Sequence, residues 1–431
     1  MLSDFCTMII IQTKEINMKK IFTVAVLAVM SVYGFSQTQK LDSLKESIEN
    51  HQGKLNALDE RVLVNESDLA KLNKIKVSGY IQSQWEYYGK DLVKTNEPTN
   101  TFYIRRARIK FTYEPADGVK FVLQPDFSTG NLSLKDAYAI VNIPKLNGWT
   151  IWAGQFNRPD YEVEYSSSSR ETLERSRLIR AIYPGEREVG AKLEYSGTNV
   201  PVTFQLMAMN GNFTGANAKD VDSKKDIMAR FVYSAKMPSA GLGIDFGVNG
   251  YFGGNRAKTN KYVNESNGTL DSVKVGDYLK KQWFGGEIRI YADVLGGLAL
   301  KGEYIAGTNS TPSIIAASST MAQLKASPNT VRNFSGYYLY FVKNLGLKHQ
   351  FVAKYDFYDP NTKLSGDAAK SEIWYKTFTL AWQYYLNDNI RISAQYEMPQ
   401  NEKNASIKNI AGTSNVQLND NTFSVRVQAK F

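Results

Sequence analysis

From Lys76 onward the chain alternates short and long breaks almost strictly. Tight, turn-like breaks stand at Pro115 to Gly118, Pro144 to Gly148, Gly197 to Val200, Pro238 to Gly241, Leu295 to Gly297, Asn344 to Gly346 and Asn387 to Asn389. Between them lie long ones: Asn157 to Gly185, Gly211 to Lys225, Gly254 to Lys280, Thr308 to Val331, Asn361 to Ser371 and Gln400 to Asn419. A soluble sandwich has no reason for that rhythm. Outer-membrane barrels have it, with tight turns at the periplasmic end and long loops outside.

The segments between the breaks carry a period of two. In the last one Phe423, Val425, Val427, Ala429 and Phe431 share one face, and Thr422, Ser424, Arg426, Gln428 and Lys430 the other. The same division recurs in 390–398, 227–237 and 102–114. One face suits lipid and the other suits water. The expected fold is an all-β transmembrane barrel of about sixteen antiparallel strands with an aqueous lumen. Phe431, closing an aromatic-rich amphipathic strand, fits an outer-membrane assembly signal.

Two segments precede this region. Met18-Lys19-Lys20, an apolar run from Ile21 to Val32 and small residues up to Ser36 read as a secretory leader cut ahead of Gln37, with Met18 as the start. The run is too short for a spanning helix. Next, Leu41, Leu44, Ile48, His51, Leu55, Leu58, Val62, Asn65, Leu69 and Leu72 alternate spacings of three and four, which places them on one helical stripe. A stripe of this length is expected to self-associate, with His51 and Asn65 fixing register and oligomer number, and Asn65 is compatible with a trimer. The other reading lays the helix against the floor of its own barrel. The organisation is then 1–36 upstream extension and leader, 37–75 periplasmic coiled coil, and 76–431 barrel.

The sole cysteine, Cys6, falls in the leader, so neither a disulfide framework nor a cysteine metal site is expected. Of 52 basic and 42 acidic residues, cleavage removes Lys14, Lys19, Lys20, Asp4 and Glu15, leaving an excess of +9. Placement on the inner wall of a barrel assigns that excess to small anions rather than nucleic acid. The only histidines are His51, in the helical stripe, and His349, on a strand face with Leu347, Phe351 and Tyr355 that points to lipid. No Ser-His or Asp-His pair assembles, and carboxylates such as Asp126 and Asp136 follow no metal-loop pattern. No enzyme, cofactor or metal is expected.

With Phe111 and Tyr113 facing lipid, Arg106, Arg108 and Lys110 point into the lumen about 7 Å apart. Arg105 falls on the opposite face. The break 157–185 is arginine-rich, with Arg158, Arg170, Arg175, Arg177 and Arg180, and Arg187 just beyond. A helical turn from Arg170 to Ala181 would set Arg170 and Arg177 on one side and pair Glu171 with Arg175. Folded inward, these guanidinium groups would narrow the pore and favour small anions. Alternatively Glu162, Glu164, Glu171 and Glu174 neutralise them in a solvated loop. Trp85, Tyr87, Tyr88, Trp149, Trp152, Trp283, Trp374 and Trp382 read as interfacial girdles or as a sugar-stacking slide.

The run FYIRRARIKF from Phe102 to Phe111, then Gln124-Pro-Asp-Phe127, Leu134 to Tyr138, Gly154-Gln-Phe156 and Glu174-Arg-Ser176, resembles in that order the phosphate-selective porin O and P family, over about residues 77–431. The resemblance implies a sixteen-stranded trimeric outer-membrane porin whose third loop folds into the pore, with anion-binding arginines and lysines in the channel. It carries over to Arg105, Arg106 and Arg108 as the strand motif and to Glu174 and Arg175 as the loop motif. The implied solutes are small anions such as phosphate or polyphosphate. A general or oligosaccharide porin, and a non-conducting structural or adhesive barrel, are the alternatives.

Overall fold

The computed structural model describes residues 22, 23, 27, 44–66 and, from 74 on, all except 93–96, 129, 131, 160, 198–199, 212–219, 221, 258–259, 265–268, 311–329 and 371. The leader lies outside the described residues, apart from three positions. Residues up to Lys74 and those from Ile75 on form two units. In the first, residues 44–66 form helix α1, where Leu44, Ile48, Leu55, Leu58 and Val62 of the apolar stripe are exposed. Leu41, Leu69 and Leu72 lie outside the described residues.

The second unit opens with β1 (Ile75–Tyr88), β2 (Asn100–Ala116), β3 (Val119–Asp126), β4 (Ser133–Asn142), β5 (Trp149–Asn157) and β6 (Arg187–Ser196). It continues through β7 (Val202–Met209), β8 (Asp226–Met237) and β9 (Leu242–Arg256). A short loop hairpin, β10 (Lys261–Asn264) and β11 (Thr269–Ser272), follows. The rest is β12 (Tyr278–Ala292), β13 (Leu298–Asn309), β14 (Thr330–Leu345), β15 (His349–Asp359), β16 (Tyr375–Tyr385), β17 (Ile390–Asn401) and β18 (Thr422–Lys430).

Leaving out the hairpin, sixteen strands pair antiparallel with their chain neighbours, β9 meets β12, and β18 returns to β1 with Tyr80 opposite Lys430 and Tyr88 opposite Thr422. The seam is finished by Gly79 and Phe431, which exchange backbone hydrogen bonds of 2.9 and 3.0 Å. Every strand edge is thereby paired, as hydrocarbon surroundings demand. The barrel has the expected strand number, and all seven predicted tight turns join strands at one end.

Alternation decides which face each residue takes. On β18, Ser424, Arg426 and Gln428 are buried inside while Phe423, Val427 and the following Phe431 are exposed outside. His349 sits outside as expected, accepting a 3.2 Å hydrogen bond from Trp382 Nε1, stacked on Trp382 and tilted against Tyr384. Trp85, flanked by Phe102 and Phe423, also faces outward. Two tryptophans correct the girdle reading. Trp283 is fully buried, stacked on Tyr251 with ring centres 4.0 Å apart. Trp152 packs against Tyr138 and beneath the Lys192 ammonium, which is 3.6 Å from its ring centre. Both belong to the inner wall because their strand neighbours Phe284 and Ile151 take the outward positions.

Candidate functional site

The loop between β5 and β6, residues 158–186, folds into the lumen. Its centre is α2 (Arg177–Ile182), capped by the Ser176 hydroxyl, which accepts from the Ile179 N–H. Leu178, Ile179, Ile182 and Tyr183 enter an apolar cluster with Met207, Met228, Tyr251, Trp283, Phe334 and Tyr338 of the wall. Gly336 makes room for this docking: a Cβ there would lie 3.0 Å from Leu178 Cδ1.

Polar contacts hold the remainder of the loop. The buried Glu164 carboxylate accepts from Ser176 N at 2.8 Å, from Ser176 Oγ at 2.9 Å and from Tyr340 OH at 2.5 Å, and Lys354 Nζ stands 3.6 Å away. Glu303 of β13 accepts from the Glu162 and Val163 N–H groups at 2.8 and 2.9 Å, and from Tyr338. Wall side chains also grip loop carbonyls. Gln82 donates to Ser167 O, Gln428 and Arg391 to Ser168 O, Arg391 to Arg170 O, and Arg426 to Leu173 O.

This scaffold differs from the helix expected over 170–181. Only Arg177–Ile182 is helical, because Leu173 N donates to Gln395 and Ser176 N to Glu164, taking donors a longer helix would need. The expected pair of Glu171 with Arg175 is not formed either. Glu171 pairs with Lys301 and Arg175 with Glu186.

The placement of Arg105 is a second correction. A bulge opposite Gln82/Ser83 inserts Arg105 into β2, so Arg105 and Arg106 both face inward while Phe102 and Ile104 stay outside. Arg105 grips Glu174 bidentately at 2.8 and 2.9 Å. Burial pushes the Glu174 carboxyl up, but Arg105 and Arg426 overcome this and hold it well below the usual carboxylate range.

The other predicted cations divide into engaged and available groups. Arg108 is tied to Asp126 at 2.7 Å and to Tyr80 and Ser167 at 3.0 Å. Arg158 is buried, donating to Ile182 O and lying 3.9 Å over the Tyr183 ring. Arg170 donates to the carbonyls of Thr172 and Leu173, and Arg175 to those of Glu164 and Tyr165. Glu186 is pushed up by burial, yet Arg175 and Arg187 hold it below its ordinary value. Arg177 stacks 3.9 Å over Tyr375 and stands 3.6 Å from Asp420 in the loop before β18. Burial pushes Asp420 up to about 6 despite that arginine.

Available cations are fewer. Arg180 is exposed on α2, and neither it nor Lys110 forms an ion pair among the described residues. Arg106 donates to the neutral Gln82 amide at 2.9 Å. A further cation, Lys135, went unrecognised in sequence because it sits in a bulge where β4 skips a partner on β3. Its ammonium is within electrostatic range of Arg108, Asp126, Glu186 and Arg187, and it also forms no ion pair among the described residues.

Residues 76–273 match the family described as phosphate-selective porin O and P. This region of the chain belongs to that family. The match runs from β1 through the β10–β11 hairpin, shorter than the span of the resemblance noted above. No curated protein matches the chain. Among solved structures, an anion-selective porin from Comamonas acidovorans has a TM-score of 0.53 at 12% identity, covering 83% of this chain and 99% of its own. Salmonella typhi OmpF in complex with daunomycin has 0.53 at 13%, covering 83% and 97%. A Vibrio cholerae OmpT lacking loop L8 has 0.52 at 11%, covering 83% and 99%. At such identities the likeness is one of fold. The chain has the barrel fold of the outer-membrane porins, and its residues 76–273 match the porin O and P family.

Proposed function

We propose that the porin is a passive diffusion channel for small anions such as phosphate or polyphosphate. The observation that carries this reading is the composition of the β2–β4 wall: Arg106, Lys110 and Lys135 are inward cations without ion pairs among the described residues, while Asp126 and Asp136 are taken by Arg108 and Arg187. An anion passing this wall meets uncompensated positive charge; a cation meets no spare carboxylate there. Arg180 on α2 adds positive charge from the loop. Planar-bilayer recordings in asymmetric salt test the reading. An anion-directed reversal potential and a current reduced by added phosphate are expected; a cation-directed potential ends it.

The exposed stripe of α1 supports a second element of this reading, a periplasmic coiled coil that assembles three copies. In the intact protein, Leu55→Asp with Leu58→Asp should lower the temperature at which the detergent-stable oligomer dissociates on gels. An unchanged temperature counts against it.

A further inference from the structure

Across β14–β18 the outer wall of the barrel is dented. Ala353 of β15 stands between Phe351, two residues before it, and Phe341, its cross-strand partner on β14. Ala394 of β17 stands in the same way between Tyr396 and its β16 partner Trp382. The alanines are half-buried, while Phe341, Phe351 and Tyr396 rise around them as exposed rims. These residues enclose a largely apolar groove of about 430 Å3. Sites that hold a small molecule occupy roughly 300–1,000 Å3.

Towards the turn end the groove meets basic chemistry. His349 lies two residues beyond Phe351 and pairs across the sheet with Tyr384. Trp382, which lines the groove, donates from Nε1 to His349 Nδ1 at 3.2 Å. That bond places the imidazole proton on Nε2 and leaves it as an outward donor. Lys348 precedes it, is exposed, and forms no ion pair among the described residues.

Tryptophan and tyrosine near strand ends sit at headgroup level, and tight turns face the periplasm, where the leaflet of an outer membrane is phospholipid. A phosphate at that level can accept from Nε2 and meet the Lys348 ammonium, while its acyl chain runs towards the membrane centre along the groove. Close barrel-to-barrel packing favours small outward residues instead, such as the cross-strand row Ala139, Ala153, Ala191 and Ala208 on β4–β7. The bulky rims of the groove suit a thin, flexible chain.

We propose that this groove and its basic end hold one phospholipid of the periplasmic leaflet, an acyl chain over Ala353 and Ala394 and the phosphate against His349 and Lys348. The site lies on the outside of the barrel and is independent of what passes through it.

Native mass spectrometry of the detergent-solubilised full chain tests it with dipalmitoylphosphatidylglycerol and with dipalmitoylglycerol, which has the same chains and no phosphate. The phospholipid is expected to be retained at one copy per chain and several-fold more than dipalmitoylglycerol. Lys348→Gln with His349→Gln should remove that preference, and Ala353→Phe with Ala394→Phe should lower retention of both lipids several-fold. Heat-modifiable gel migration confirms that each barrel is closed. Equal retention of the two lipids by the native chain, or retention unchanged in both folded variants, would overturn the proposal. So would a phenylalanine variant that keeps its lipid but whose oligomer dissociates at a lower temperature, which would make the groove a contact between copies of the chain.

Discussion

The wall from β13 round to β1 and the wall from β2 to β4 carry cations of the same kind and use them differently. On the first, Lys301, Lys354, Arg391 and Arg426 are directed at the third loop, reaching its carbonyls or its carboxylates Glu164, Glu171 and Glu174. On the second, Arg105 and Arg108 hold the loop too, but Arg106, Lys110 and Lys135 form no ion pair among the described residues. A count of basic residues therefore overstates what an anion would meet. The relevant quantity is the charge left after the constriction has been assembled.

The strongest way to break the distinction is to cut the loop's anchorage. Glu164→Leu removes the acceptor of Ser176 and Tyr340 and leaves Lys354 without that neighbour. Breaking a buried pair in this way costs about 3–5 kcal/mol. Single-channel conductance should rise several-fold and become unsteady, in a barrel that still migrates as folded on unboiled gels. Steady conductance at the native level would show that Glu164 is not an anchor.

A sharper contrast comes from neutralising available against engaged cations. Lys110→Gln with Lys135→Gln should reduce the anion-to-cation permeability ratio several-fold, read from reversal potentials. Arg108→Gln with Asp126→Asn, which removes both members of one ion pair, should leave the ratio within about twofold, because the net charge of the wall is unchanged. If the two variants shift selectivity equally, the division between the walls has no functional meaning.

The smallest effect concerns acidity. Asp420, pushed up to about 6 by burial, holds its proton more tightly in the folded chain than at its unfolded value near 3.9. Its contribution to stability is therefore fullest below the unfolded value and is lost as pH rises through about 6. Protonation also removes the negative charge facing Arg177. Lowering pH from 7.5 to 5 should move selectivity modestly towards anions, and Asp420→Asn should abolish that shift. A shift of equal size in the variant would assign the effect to another group.

The barrel was legible because two signals in the chain are physical necessities: lipid against water across each strand, and turns against loops at opposite ends. The inward cations of β2 followed from the same period. Arg105 and Lys135 escaped it, since a bulge adds a residue to one strand relative to its partner and a single strand's alternation does not reveal that. The loop's arginines were visible as charges but not as bonds. Arg170 and Arg175 spend their donors on carbonyls that only the folded loop brings near. Trp283 could have been assigned from its neighbour Phe284, whose outward position fixes the tryptophan inside.

Much of the wall's hold on residues 167–173 falls on main-chain oxygens, those of Ser167, Ser168, Arg170 and Leu173. Every residue type offers that handle. Ser168 can consequently be rewritten without releasing the tract, whereas Ser167 is also held through its hydroxyl by Tyr80 and Arg108, which makes Ser168 a place where the bore and lining of the passage can be retuned while the architecture stays put.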